Sequence, residues 1–507
     1  MSLIASRPDD PARYRAEPSV LTALRTPRIL IREVLAGLVV ALALIPEAIS
    51  FSIIAGVDPR VGLFSSFVMA VTIAIVGGRP AMISAATGAV ALVIGPIARE
   101  YGLDYLIATV ILAGVLQVVL AVLGVAKLMR FIPRSVMVGF VNALAILIFS
   151  AQIPHLVGVP WLVYPLVAVG ILIMVFMPRL TKVIPAPLVA IILITAAVVV
   201  LGWSVPNVGD QGELPRSLPT LFLPDVPLTW DTLMIIGPTA LAMAIVGLLE
   251  SLMTAKLVDE ITDTHSRKTR EAWGQGVANI LSGFFGGMGG CAMIGQTMIN
   301  VKASGARTRI STFLAGVFLL ILVVVLGDVV ALIPMAALVA VMVMVSVATF
   351  DWHSIRSSTL KRMPWSETIV MVTTVAVVVA THNLAIGVGV GVVAAMVLFA
   401  RRVAHLATVT RTLDEEAAVP TAHYRVDGEL FFASSNDLTT QFEYADDPER
   451  VVIDMSNSHI WDASTVAALD AVVTKYERHG SRVVLEGMNE ATTAFHGRLS
   501  GHLGGGA

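Results

Sequence analysis

Two glutamates stand where a glutamate is costly. Glu47 lies inside LIPEAISF and Glu250 inside GLLESLMT, each deep in apolar sequence. A charge at the centre of a membrane helix costs about 2.5–3.5 kcal/mol even on insertion scales, so an intramembrane acid is expected to carry function. A carboxyl group in an apolar medium holds its proton more tightly than in water. Each acid is therefore a candidate for exchanging a proton as an anion enters; a neutral acid hydrogen-bonded between helices is the plainer alternative. Two short segments can supply the opposite sign of charge without a basic side chain. Gly77-Gly78 leads to Ala81-Met82-Ile83, and Gly289-Gly290 leads to Ala292-Met293-Ile294. If Thr87-Gly88 and Gly295-Gln296 start helices that meet in mid-membrane, their unsatisfied N–H groups face one another with about half a positive charge each, and an anion fits between them. Glycines 77, 78, 88, 289, 290 and 295 permit close backbone approach, while Ser84, Thr87, Gln296 and Thr297 offer neutral hydrogen-bonding groups. Phe51, one turn beyond Glu47, is placed to wall such a pocket or simply to pack.

The elements that must hold these residues are membrane helices. Of the 507 residues, 56% are hydrophobic and 14% charged, and the mean hydropathy is +0.84. Soluble domains carry about 25% charge, so the bulk of this chain belongs in lipid. A net charge of -2 leaves no basic surplus for nucleic acid. The single cysteine, Cys291, excludes an internal disulfide and a cysteine-based metal cluster; beside its glycines it reads as a small apolar residue. No metal-ligand cluster, nucleophile triad or nucleotide loop is present, so the chain reads as a non-enzyme without a cofactor or bound metal.

Apolar runs recur near 33–55, 60–77, 87–100, 104–126, 132–152, 161–177, 183–203, 233–257, 270–286, 295–303, 309–327, 333–350, 366–381 and 384–400, two of them too short to span. Fourteen segments place both termini on one side. Cytoplasmic loops then hold Arg79; Lys127, Arg130 and Arg134; Arg179 and Lys182; Arg267, Lys268 and Arg270; Lys302, Arg307 and Arg309; Arg356, Lys361 and Arg362. Only Arg60, Arg99 and Arg216 fall on the other side, as the positive-inside rule requires. The polar start, with Arg7, Arg13, Arg15, Arg25 and Arg28, reads as a cytoplasmic tail over 1–31. A first membrane repeat is expected over 32–203, an extracellular connection over 204–231 and a second repeat over 232–402; seven spans per half invert the second copy. After a linker over 403–419, residues 420–507 have soluble composition. Tyr424 to Val426, Leu430 to Ala433, Val451 to Met455 and Arg482 to Leu485 read as strands, and a helix begins at Asp462 with Val466, Leu469 and Val473 at helical spacing. That alternation is a small α/β layer domain.

The passages PEAISFSIIAGVDPRVGLFSSF, GGRPAMISAATGA and LLESLMTAKLVDEITDTHSRKTREAWGQGVANILSGFFGG, together with the C-terminal domain, resemble the SulP family of anion transporters over almost the whole chain after Ile31. The resemblance implies an α-helical polytopic membrane protein, a seven-plus-seven inverted repeat with core and gate domains, elevator-like motion, a homodimer and a cytoplasmic STAS domain that offers a surface to a protein partner. Carried over, the site comprises Glu47 and Phe51 on the first span, Ser84, Ala85 and Thr87 before the third, Glu250 and Thr254 on the eighth, and Met293, Ile294 and Gln296 before the tenth; the helix starts add Gly88 and Gly295. Several relatives carry Arg where this chain has Gln296, so its pocket lacks a fixed cation. That favours proton symport over simple exchange, with Glu47 and Glu250 as coupling groups. Bicarbonate-transporting relatives hold sodium with an acid and a threonine at the spacing of Glu250 and Thr254, which keeps sodium coupling open. Ala463 stands where anti-sigma antagonists of the same fold carry a phosphorylatable Ser, so no switch of that kind is expected, and Asp462 reads as a helix cap. The expected activity is secondary active transport of a small anion, a C4-dicarboxylate such as fumarate, sulfate or bicarbonate, across a bacterial-type inner membrane. A passive anion channel or exchanger and a sodium-coupled bicarbonate symporter are the alternatives.

Overall fold

The computed structural model describes residues 18–128, 132–180, 185–215, 217–404, 407–415 and 419–501. Arg7, Arg13, Arg15, Arg130, Lys182 and Arg216 lie outside the described residues. All fourteen apolar runs form helical segments: α1 (Pro27–Ala55), α2 (Pro59–Val76), α3 (Gly88–Tyr101), α4 (Leu103–Val122), α5 (Arg134–Ser150), α6 (Val163–Leu180), α7 (Ala186–Leu201), α8 (Trp230–Thr262), α9 (Lys268–Phe284), α10 (Ile294–Met298) with a π-turn (Ile299–Ala303), α11 (Arg309–Val325), α12 (Met335–Thr349), α13 (Trp365–Thr381) and α14 (Leu384–Ala404). Seven helices among the described residues are long and apolar enough to cross a membrane, and α7, α11, α12 and α13 are shorter apolar helices. A short helix, Val20–Arg25, already lies inside the span expected as a tail, and α1 starts there too, because Pro27 takes the first helical position, where its missing N–H costs nothing. Before α3 and α10 run the two-residue strands β1 (Ser84–Ala85) and β2 (Cys291–Ala292), which pair antiparallel.

The two-fold relation between the halves is visible in which helices pack together. Helix α4 lies on α9, as α11 lies on α2; α1 lies on α11, as α8 lies on α4; α5 lies on α13, as α12 lies on α6. Helices α1–α4 and α8–α11 thus form one bundle around the strand crossing, the core, and α5–α7 with α12 and α13 form a second, the gate. Gly391 of α14 sits against Thr374 of α13 and Val136 of α5, adding α14 to the gate. Between bundles, α1 touches α12 and α7, and α3 touches α5. The symmetry-related pairings, α8 with α5 and α14 and α10 with α12, are not made to the same extent.

Several cations counted above as loop charges hold the fold instead. Arg79 is 3% exposed and pairs with Asp259 at 3.2 Å while donating to Thr262 and Thr264. Arg270 and Arg309 donate to the carbonyls of residues 74–77, the C-terminal end of α2, where unsatisfied carbonyls and the helix dipole both favour a cation.

The chain divides into two units, Met1–Val392 and Val393–Ala507. The second contains a four-stranded sheet: β3 (Thr408–Asp414), β4 (Thr421–Leu430), β5 (Arg450–Ile460) and β6 (Arg482–Glu486), in that order, with β3 antiparallel to β4 and the other pairings parallel. Helices α15 (Phe432–Leu438), α16 (Ala463–Arg478) and α17 (Glu490–Leu499) accompany it. Tyr424, Ile453, Val466, Leu469, Val472 and Tyr476 are fully buried in its core. Two expectations fail here. Residues 430–433 are not a strand beyond Leu430, because the Asp462 carboxylate accepts from Phe432 N and the Ser434 hydroxyl accepts from Phe431 N, starting α15. Residues 408–414, expected as linker, form the edge strand β3, paired with β4 along its whole length.

Candidate functional site

The crossing of β1 and β2 lies where several of the residues expected at the site come together. Ser84 pairs with Ala292 and Ala85 with Cys291. Three residues beyond Ala85 and three beyond Cys291, α3 and α10 begin. Antiparallel strands send their helices in opposite directions, so the two N-terminal ends both face the crossing. Thr87 caps α3, accepting from Val90 N at 3.4 Å. Met293, at the equivalent place before α10, has no side-chain cap, and α10 starts at Ile294, one residue before the expected Gly295. Gly295 is exposed, and a Cβ placed on it would meet nothing within 4 Å.

Irregular backbone in a membrane interior is tolerated where protein groups satisfy it, and here the core helices do so. Asn279 of α9 accepts from Gly290 N at 2.8 Å and donates to its carbonyl and to Gln117. Ser251 of α8 accepts from Ala292 N, and Ser66 of α2 accepts from Ala86 N. Thr297 accepts from Ile83 N, Thr312 donates to the Met82 carbonyl and Asn300 donates to that of Ala81. Gln275 donates to Ser84 and to Glu271, whose carboxylate accepts from Gly78 N and Arg79 N at 2.6 and 2.9 Å.

Both acids are tied to the stretch from β2 into α10. Glu47 accepts from Gln296 Nε2 at 2.9 Å. Glu250, 7% exposed, accepts from Cys291 Sγ at 2.9 Å, and that sulfur lies 3.1 Å from Thr87 Oγ1. Cys291 is therefore more than an apolar filler: it joins the acid of α8 to the cap of α3. Thr254 donates to the Glu250 backbone carbonyl at 2.7 Å rather than to its carboxylate. Phe51 is buried and its ring edge covers Gly88, where an added Cβ would lie 2.9 Å from Cε1. Among the described residues no Lys, Arg or His donates to Glu47 or Glu250, and no group of three metal-binding side chains occurs. The residues that sequence reasoning passed over, Glu271, Gln275, Asn279 and Gln117, carry helical spacing along α9 and α4 but no local signal of what they hold.

An inverted helical repeat around a mid-bundle strand crossing defines a multi-pass membrane transporter. Residues 30–163 and 158–374 match the Sulfate permease family and residues 415–495 match the STAS domain; the chain belongs to that family. It is 54% identical over 464 residues, 92% of this chain and 96% of the relative, to YbaR of Bacillus subtilis, which is provisionally named a sulfate transporter. It is 27% identical over 406 residues, 74% of this chain and 71% of the relative, to the bicarbonate transporter BicA of Picosynechococcus. The transmembrane domain of a cyanobacterial BicA superimposes with a TM-score of 0.63 at 25% identity, over 72% of this chain and 97% of that one. Murine Slc26a9 in its inward-facing state gives 0.80 at 17% identity, over 98% of this chain and 92% of that one, a likeness of fold. These relatives bear transporter names, in line with the expectation of a non-enzyme.

Proposed function

We propose that this chain is a secondary active symporter that binds a small oxyanion at the strand crossing and carries it inward together with a proton. The observation that supports this most is the Glu47–Gln296 pair at the start of α10. The site as described offers backbone N–H groups and amides to an anion but no cationic side chain, and it places a carboxylate beside them. An anion and an ionised Glu47 repel each other. By reciprocal linkage, protonation of Glu47 then favours the anion as much as the anion favours protonation. Candidate substrates are sulfate, bicarbonate and C4-dicarboxylates such as fumarate; the names of relatives favour the first two. The division into core and gate bundles supports an elevator motion in which the crossing travels with the core. We place the chain in a bacterial inner membrane, as a homodimer with both termini cytoplasmic and the STAS domain available to a cytoplasmic partner.

The test is uptake of labelled sulfate, bicarbonate and fumarate into proteoliposomes under imposed gradients. Accumulation against the anion gradient is expected with an inward proton gradient alone. Accumulation that needs sodium would transfer the coupling role to the oxygens of Glu250 and Thr254. Equilibration without accumulation under any gradient would make the protein a passive path.

A further inference from the structure

We infer that Gln296 is an amide switch: its side chain turns over when Glu47 gains a proton, and thereby converts that proton into a hydrogen-bond donor aimed at the anion. The inference rests on the proton-coupled reading above. Gln296 is 2% exposed, and while its Nε2 donates to Glu47, its Oε1 has no hydrogen-bond partner. A buried acceptor left without a donor is costly. It signals a missing ligand or a second arrangement of the same atoms, and the amide allows both.

With Glu47 ionised, the carboxylate needs a donor and Nε2 must face it. Oε1 then turns away from the acid, and an acceptor that meets an anion repels it. With Glu47 protonated, its O–H can donate to Oε1, and a half-turn about the last side-chain bond brings this about with little change of shape. That bond joins a tetrahedral to a planar carbon and has a shallow two-fold torsion. Nε2 is then released toward the anion, at the uncapped start of α10 beside Gly295, where space is open. The proton stays on the Glu47 carboxyl throughout; Gln296 changes only which atom it shows. An arginine at this position would donate in either state and would need no proton.

Other ionisable groups on the elements packed against α1 are engaged elsewhere. Arg60 pairs with Asp58 and Glu213, Arg99 donates to the Ile54 carbonyl, and Arg309 donates to those of Ala74 and Gly77. Glu100 interacts with Tyr101 at the far end of α3. Lys302 is exposed on the π-turn, and α7, α10 and α12 contain no ionisable residue. Arg25, on the short helix Val20–Arg25 that precedes and packs on α1, lies beyond the start of α1, and on α1 itself Arg28, Arg32 and Glu33 are about 20 Å or more away along the axis, with Glu33 held by Arg307, Thr308 and Ser311 backbone N–H groups. Across the crossing, Glu250 has Cys291 as its partner.

The experiment measures the apparent KM for sulfate, bicarbonate and fumarate against pH in proteoliposomes of the full chain, with folding checked by gel filtration in detergent. In the parent protein the KM should rise about tenfold per pH unit on the alkaline limb, the slope of one linked proton. Gln296→Met keeps the volume and removes both functions of the amide, so its KM should be raised at least tenfold at acid pH and lose that slope. Glu47→Gln carries no charge and no exchangeable proton, and its amide can pair with that of Gln296 in either orientation, so its KM should be flat with pH, while accumulation is lost. A Gln296→Met protein with the parent's KM and slope overturns the switch, as does a Glu47→Gln protein whose KM keeps the parent's pH slope. The second variant carries the test should the first fail to fold. Absence of proton-driven accumulation in the parent would instead defeat the coupling reading itself.

Discussion

At the scale of single residues, the second unit is pinned by one acid. Asp447, whose side chain is fully buried, accepts from Tyr424 and Tyr476 hydroxyls at 2.6 Å each and pairs with Arg411 of β3 at 2.7 Å. Removing one partner of such a cluster leaves the others unpaired. Asp447→Ala is expected to cost about 3 kcal/mol, read as faster amide exchange along β4 and β5 in the full chain. Burial first, then donation to Asp447, raises both tyrosine pKa values above the ordinary 10.0. Their neutral forms are favoured in the folded state, so this stability is complete below pH 10 and is lost as pH rises toward the folded values. Phenolate absorbance from this pair should appear only with unfolding. The membrane acids were legible in sequence because a charge in an apolar run stands out. The partners Cys291 and Gln296 were not assigned to their acids, since that pairing depends on the register of two strands 207 residues apart.

At the scale of elements, the fourteen membrane segments were legible because bilayer thickness fixes the length of an apolar run, and doubled glycines marked where two of them are broken. Two elements of the second unit were not. Helix α15 starts with apolar residues that continue a strand pattern, and its start is capped from outside by Asp462. Strand β3 has an exposed, polar edge and exists because β4 pairs with it. Glycines also decide how closely helices approach. Gly114 of α4 and Gly276 of α9 face each other, and a Cβ on either would come within 2.6–2.7 Å of the other's carbonyl oxygen. Gly114→Val should therefore separate the two core helices at a cost of about 1–3 kcal/mol. The measurement is the thermal transition of the detergent-solubilised protein, expected to fall; an unchanged transition would show that the contact is not needed.

At the scale of the whole molecule, the gate is touched more by the core helices α1 and α3 than by their symmetry mates α8 and α10. Under the proposed alternating access of the two repeats, exchanging the two sets of contacts would give the opposite-facing state, and the arrangement predicts access from one face. The chain has one native cysteine, buried at 0% exposure, whereas Gly295 is exposed beside open space. Gly295→Cys should react with a membrane-impermeant thiol reagent from one face of oriented vesicles, and added substrate should slow the reaction. Equal labelling from both faces would contradict a one-sided resting state.

The strands of the crossing are laced by Asn279, Ser251, Ser66, Thr297 and Thr312, all within the core bundle. Under the proposed elevator motion nothing in that lacing would have to be undone, so what the protein recognises and how fast it turns over would be set in different places. Substitutions in the lacing should degrade selectivity, while those along the seam of α1 with α12 and α3 with α5 should change turnover and leave preference among anions as it was.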